Sequence, residues 1–97
     1  MHKKKPICRY IASENKKEAG IRLRRIEGQI RGLQEMLNDD RNCRDVLNQI
    51  VSVEKALEGV KKVILRNFVE QCASKRIKAK GTKEDYDEIM EVIFKYS

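Results

Sequence analysis

Residues 40–81 read DRNCRDVLNQIVSVEKALEGVKKVILRNFVEQCASKRIKAKG, and within them Val46, Ile50, Val53, Leu57, Val60 and Ile64 recur at spacings of 4, 3, 4, 3 and 4. The stripe continues through Phe68 and Cys72. Apolar residues at that rhythm share one face of an α-helix. Asp40 is a suitable N-cap, and the run Lys75-Arg76-Ile77-Lys78-Ala79-Lys80-Gly81 places cations in the last turns with glycine just past the end, as a helix C-terminus prefers. The pattern predicts one long helix over 41–79.

That helix carries Cys43 and Cys72, 29 residues apart. At ~100° per residue the separation is eight turns plus ~20°, so both thiols lie on one face. At ~1.5 Å rise they are ~43 Å apart along the axis, well beyond the ~4.4–6.8 Å between Cα atoms that a disulfide allows. They cannot meet within one chain. If two copies pack antiparallel about a two-fold axis near Leu57 and Glu58, residue i faces residue 115 − i, and Cys43 lies opposite Cys72 of the second copy. Val46 then meets Val69, Leu47 meets Phe68, Ile50 meets Leu65, Val51 meets Ile64 and Glu54 meets Lys61. This self-complementary set is what a two-fold dimer requires. Spacing alone leaves open that both cysteines are small buried apolar residues.

Working outward, Ala19, Leu23, Ile26, Ile30, Leu33 and Leu37 form the stripe of a first helix over about 15–38, with Asn15 and Glu18 as a capping box and Ser13 as a competing start. Thr82 with Asp85 opens a last helix over 83–96, carrying Tyr86, Ile89, Met90, Ile93 and Phe94. No strand, repeat or low-complexity linker is legible. Residues 1–13 read as a flexible basic tail. The whole chain, 1–97, reads as a single all-α domain of three helices, with a modest core that oligomerisation would complete.

Charge is distributed unevenly. Residues 1–32 hold ten Lys or Arg against Glu14, Glu18 and Glu27, which accounts for the whole net charge of +7. A basic face on one element is the footprint of a polyanion binder, and the segment lacks the Trp and Phe anchors of a membrane-surface helix. Arg22, Arg25 and Gln29, spaced 3 and 4, are the candidate DNA contacts, with Arg24 and Arg31 beside them and Lys55 and Lys62 extending the surface. The second helix is too long for a helix-turn-helix recognition helix, so binding would rest on a flat, multi-subunit basic face that reads phosphates and shape on duplex DNA. No stretch approaches the ~20 apolar residues of a membrane span, and Lys3-Lys4-Lys5 is followed by Pro6 and Arg9 rather than an apolar signal core. A cytoplasmic protein is expected. The odd cysteine count there argues against a disulfide framework.

No Ser-His-Asp set, phosphate loop or carboxylate pair is present, so an enzyme is not expected. Cys43 falls near the third position of its helix, flanked by Arg41 and Arg44, where unpaired N–H groups and the positive dipole end favour the thiolate. It is the expected attacking thiol, with Cys72 resolving. Two thiolates also suit Cu(I), with Cys8 as a third sulfur. Zinc wants four ligands, and the single histidine, His2, lies on the tail. Gly28, Gly32 and Gly59 lie inside helices, where close approach to another helix or a ligand would offset their cost.

The run Arg22-Leu-Arg-Arg-Ile-Glu-Gly-Gln-Ile-Arg-Gly32, then Asn42-Cys43-Arg-Asp-Val-Leu-Asn-Gln-Ile50, then Cys72, resembles the copper-sensitive operon repressor (CsoR) family of bacteria over roughly residues 18–96. The resemblance implies a disc-shaped homotetramer, a dimer of antiparallel four-helix-bundle dimers, that releases its operator when the site between protomers is filled. It also implies a Cys, His, Cys copper site with the His four residues before the second Cys, where this chain has Phe68. Glu88 matches a glutamate that partners that histidine. Without the imidazole, the chain resembles the persulfide-sensing, CstR-like branch, which implies a repressor that reads persulfide or polysulfide through Cys43 and Cys72 across protomers and needs no cofactor. The alternative in the same fold is a Cu(I) sensor using Cys43, Cys72 and Cys8. A structural adaptor with inert thiols is the alternative outside it.

Overall fold

The computed structural model describes residues 10–79 and 81–97. Four α-helices follow in order: α1 Ser13–Asn38, α2 Cys43–Asn67, α3 Ser74–Ala79 and α4 Lys83–Tyr96. Between α2 and α3 the chain winds as a π-helix over Phe68–Ala73. There is no strand among the described residues, and no helix is long and apolar enough to cross a membrane.

α1 and α2 form an antiparallel hairpin, with Asn15 against Asn67 and Arg22 over Gly59. The turn between them closes through Asp39 N–H to the Glu35 carbonyl (2.9 Å) and Arg41 N–H to the Met36 carbonyl (3.0 Å), with Asp40 at φ +51°. Asp40 therefore ends the turn and does not cap α2. That role falls to Asn42, whose side chain accepts from the Arg44 N–H at 2.8 Å. Cys43 becomes the first helical residue rather than the third.

α1 starts at Ser13 with no side-chain cap. The expected Asn15–Glu18 box does not form, because both side chains are drawn into contacts with α2. The Thr82–Asp85 capping box forms as expected: Thr82 Oγ1 accepts from the Asp85 N–H, and Asp85 Oδ2 accepts from the Thr82 N–H, both at 3.2 Å. Gly81 adopts φ +56°, and an added Cβ would lie 2.9 Å from the Ile77 carbonyl oxygen. Only glycine fits that stop.

The expected uninterrupted helix over 41–79 is instead three segments. The wider π winding moves Cys72 off the phase a straight helix would give it. Ser74 stabilises the bulge by donating from its hydroxyl to the Val69 carbonyl at 2.8 Å.

Phe68, Ala73 and Ile89 form the buried core at this end, with Leu65, Cys72, Ile77, Val92 and Ile93 packed around it. At the hairpin's middle the burial thins to Ala19, Ile26 and Val63. The protomer measures 57 × 27 × 24 Å with a radius of gyration of 18.1 Å, against about 12.5 Å for a compact chain of this length. Leu47, Ile50, Val51, Leu57 and Ile64 stay exposed along α2. One protomer does not bury its own apolar surface.

Candidate sensor and nucleic-acid surfaces

Cys43, at the start of α2, and Cys72, in the π segment, sit in different surroundings. Cys43 is free and exposed, in a shallow depression with Leu37, Arg41, Val46 and Leu47. Cys72 is half-buried against the Phe68 cluster, and its sulfur is in a disulfide, against the expectation of a free resolving thiol. Cys8 and His2 lie outside the described residues, as does most of the expected tail. Tyr10–Ala12, also expected to be flexible, are held on α2.

Phe68 is 7% exposed and belongs to the core, so the position offers packing and no donor. Glu88, the candidate partner of a histidine there, instead binds Arg76: Arg76 Nη1 lies 2.7 Å from Glu88 Oε2, and Arg76 Nε 2.9 Å from Asp85 Oδ1. These carboxylates hold the Arg76 guanidinium more firmly protonated than usual, Glu88 foremost. The hydroxyl of Thr82 first, and Arg76 after it, pull the Asp85 carboxyl below its ordinary range.

The expected DNA-contact residues divide into two sets. Arg24, Arg25, Arg31, Lys55 and Lys62 are exposed and form no ion pair with any described residue. Arg22 is engaged: its Nε lies 3.6 Å from Glu18 Oε2, and its guanidinium rests on Gly59, where a Cβ would come within 2.9 Å of Nη1. A side chain at position 59 would displace the end of the Arg22 side chain. Around Gly28 and Gly32, by contrast, no described residue beyond the helix's own neighbouring backbone comes within 4 Å of an added Cβ. Gln29 points its amide oxygen into a buried position with no hydrogen-bond partner.

Sequence reading missed a polar cluster joining α1 to the end of α2. Asn67, 1% exposed, accepts at Oδ1 from the Ala12 N–H (2.9 Å) and Asn15 Nδ2 (3.0 Å), and donates from Nδ2 to the Tyr10 carbonyl (2.9 Å). Beside it Arg66 donates to Asn15 Oδ1 and Glu18 Oε1, both at 3.1 Å. Its hydrogen bond is the main reason the Glu18 carboxyl is held below its ordinary range. An asparagine between Leu65 and Phe68 was the only available signal, since buried amides need partners.

Among the described residues no group of three His, Cys, Asp or Glu converges to hold a metal within one protomer. Cys43 lies beside the α1–α2 turn and Cys72 packs on the Phe68 core, so the two are not brought together within the chain. Strandless among its described residues, elongated and carrying unneutralised cations along one helix, the protomer has the features of a helical DNA-binding regulator. Residues 15–95 match the family described as metal-sensitive transcriptional repressor. The chain is 32% identical to the copper-sensing transcriptional repressor CsoR of Bacillus subtilis, over 99% of this chain and 95% of that one. It is 36% identical to the copper-sensing repressor RicR of Mycobacterium tuberculosis, over 75% and 76%. Its fold superposes on the Cu(I)-bound copper-sensing repressor CsoR from Geobacillus thermodenitrificans with TM-score 0.76 and 34% identity, covering 92% and 93%. For the nickel-responsive regulator InrS the TM-score is 0.71 at 32% identity, covering 84% and 91%.

The chain belongs to the metal-sensitive transcriptional repressor family, that of the copper-sensing CsoR proteins. Its relatives are transcriptional repressors, in keeping with the lack of a catalytic set. The expectation of a sensor needing no cofactor is overturned, because the relatives are named as copper-sensing or nickel-responsive and one is solved with Cu(I).

Proposed function

We propose that the protein is an operator-binding repressor that Cu(I) releases from DNA, working as an antiparallel homodimer paired into a disc-shaped tetramer. The match over nearly the whole chain to a repressor named as copper-sensing carries this reading.

The donor set fits the ion. Soft thiolates select Cu(I), whereas zinc wants four ligands and nickel suits imidazole, and the described residues contain no histidine. Cys43 of one copy and Cys72 of the other, both reduced, would hold Cu(I), with Cys8 as a third sulfur. When bound, the ion supplies a crosslink between protomers without redox change.

The chain's own residues prepare that contact. A groove of about 290 Å³ lined by Ile64, Leu65, Phe68, Val92 and Tyr96 lies where the register of 115 − i brings Leu47, Ile50 and Val51 of the second copy, all exposed. Lys61, at its rim, faces Glu54. Arg24, Arg25, Arg31, Lys55 and Lys62 are available for phosphates, each contact contributing a slope of about −0.9 in log affinity against log salt. A hundredfold loss of operator affinity needs ~2.7 kcal/mol of difference between the two states.

The test is a titration of fluorescent operator DNA with protein held reduced, repeated with Cu(I), Ni(II) and inorganic polysulfide. Release by Cu(I) at one ion per Cys43–Cys72 pair is expected. Release by polysulfide alone, or by Ni(II) alone, would overturn the reading.

A further inference from the structure

Arg66 occupies a position that neither the thiols nor the basic face explains. Its guanidinium is divided between two carboxylates on different elements: Nη2 lies 3.1 Å from Glu18 Oε1 on α1, and Nε 3.8 Å from Glu70 Oε1 inside the π segment. Glu18 is shared in turn, its other oxygen lying 3.6 Å from Arg22 Nε. Glu70 Oε1 also accepts from Asn15 Nδ2 at 3.3 Å. A continuous row of alternating charge, Glu70–Arg66–Glu18–Arg22, thus runs from two residues before Cys72 to the start of the basic face.

The row has one fixed point and one irregularly wound element. Asn67 ties the end of α2 to Tyr10, Ala12 and Asn15, so it stays with α1. Directly after it the chain leaves α-helical winding for the π turn that carries Glu70 and Cys72. Inserted π turns frequently mark functional sites, and a shift between π and α winding there changes where Glu70 points while Asn67 holds its place.

We infer that Arg66 couples the Cys72-bearing π segment to the DNA face: Glu70 and Glu18 compete for its charge, and the outcome decides how fully Glu18 neutralises Arg22. With Arg66 held by Glu70, Glu18 turns to Arg22 and removes a cation from the phosphate-binding face. With Glu70 withdrawn, Arg66 takes Glu18 and Arg22 is released. Coupling of this kind needs a two-state element biased from both sites, and the inference assigns that role to the π segment. The inference rests on the repressor reading for its readout, and on copper only for its trigger.

Operator affinity is measured at fixed salt for wild type, E70Q, R66K, E18Q, R22Q and E18Q/R22Q, each with and without Cu(I), with helicity and thermal melting checked alongside. In metal-free protein E18Q tightens binding by about threefold, and the gain disappears in E18Q/R22Q relative to R22Q. E70Q and R66K keep their Cu(I) affinity, but the ratio of operator affinities with and without Cu(I) falls toward one. An unchanged ratio in both variants, or an E18Q gain that survives loss of Arg22, overturns the inference. If wild type binds DNA but ignores Cu(I), the copper reading fails, and the E18Q/R22Q cycle in metal-free protein still decides the coupling.

Discussion

The two ends of the Cys43–Cys72 stretch continue one hydrophobic stripe yet meet opposite fates. At the Cys43 end the backbone is regular, Asn42 caps it locally, and Leu47 remains 60% exposed. At the Cys72 end the helix widens, α4 covers it, and Asn67 fastens residues 10–15 across it. Identical periodicity therefore does not imply identical burial. The first end leaves its apolar side chains exposed, while the second is a packed core built around a polar tie.

Breaking the packed end should have the largest effect. F68A removes the centre of the core cluster and should cost about 3–4 kcal/mol in urea unfolding at fixed protein concentration. N67A comes next at about 2–3 kcal/mol, because it removes the partner of the Ala12 N–H and of the Tyr10 carbonyl together. Hydrogen exchange should locate its opening at residues 10–15 rather than at the Cys43 end. An N67A protein with unchanged exchange there would remove the contrast between the two ends.

Smaller effects sharpen it. T82A loses the capping box of α4 and should cost about 1 kcal/mol. Asp85 is held below its ordinary carboxylate range by Thr82 and then Arg76, so its charged form favours the folded state. That contribution is full above the ordinary range and is lost as pH falls through the lowered value. Thermal melting of wild type should therefore decline on acidification below about pH 4, and D85N should flatten the decline. C43S, at the exposed end, should shift stability by no more than about 0.5 kcal/mol while abolishing the Cu(I) response of operator binding.

Much of the fold was legible because its signals are short-range. The three-helix order, the Thr82–Asp85 box and the Gly81 stop each depend on residues within five positions of one another. Family membership was equally legible from the run at Arg22–Gly32 and the Asn42–Cys43 motif. The candidate site was legible only in part. Arg24, Arg25 and Arg31 can be named from charge, but nothing local says that they stay unpaired while Arg22 is held by Glu18 over Gly59. The Asn15 capping box failed for the same reason: a partner 52 residues away claimed the side chain.

By itself the sequence determined which residues are helical, where the cations lie, and that Cys43 and Cys72 cannot meet within one straight helix. Only the tertiary structure decided the π winding at Phe68–Ala73, the seat of Glu88 on Arg76 rather than at position 68, and the Glu70–Arg66–Glu18–Arg22 row. Helical rhythm and caps are set by hydrogen bonds a few residues long. The links that join the charge row across α1 and α2 are contacts between residues about 40 to 55 positions apart, which exist only once α1 lies against α2.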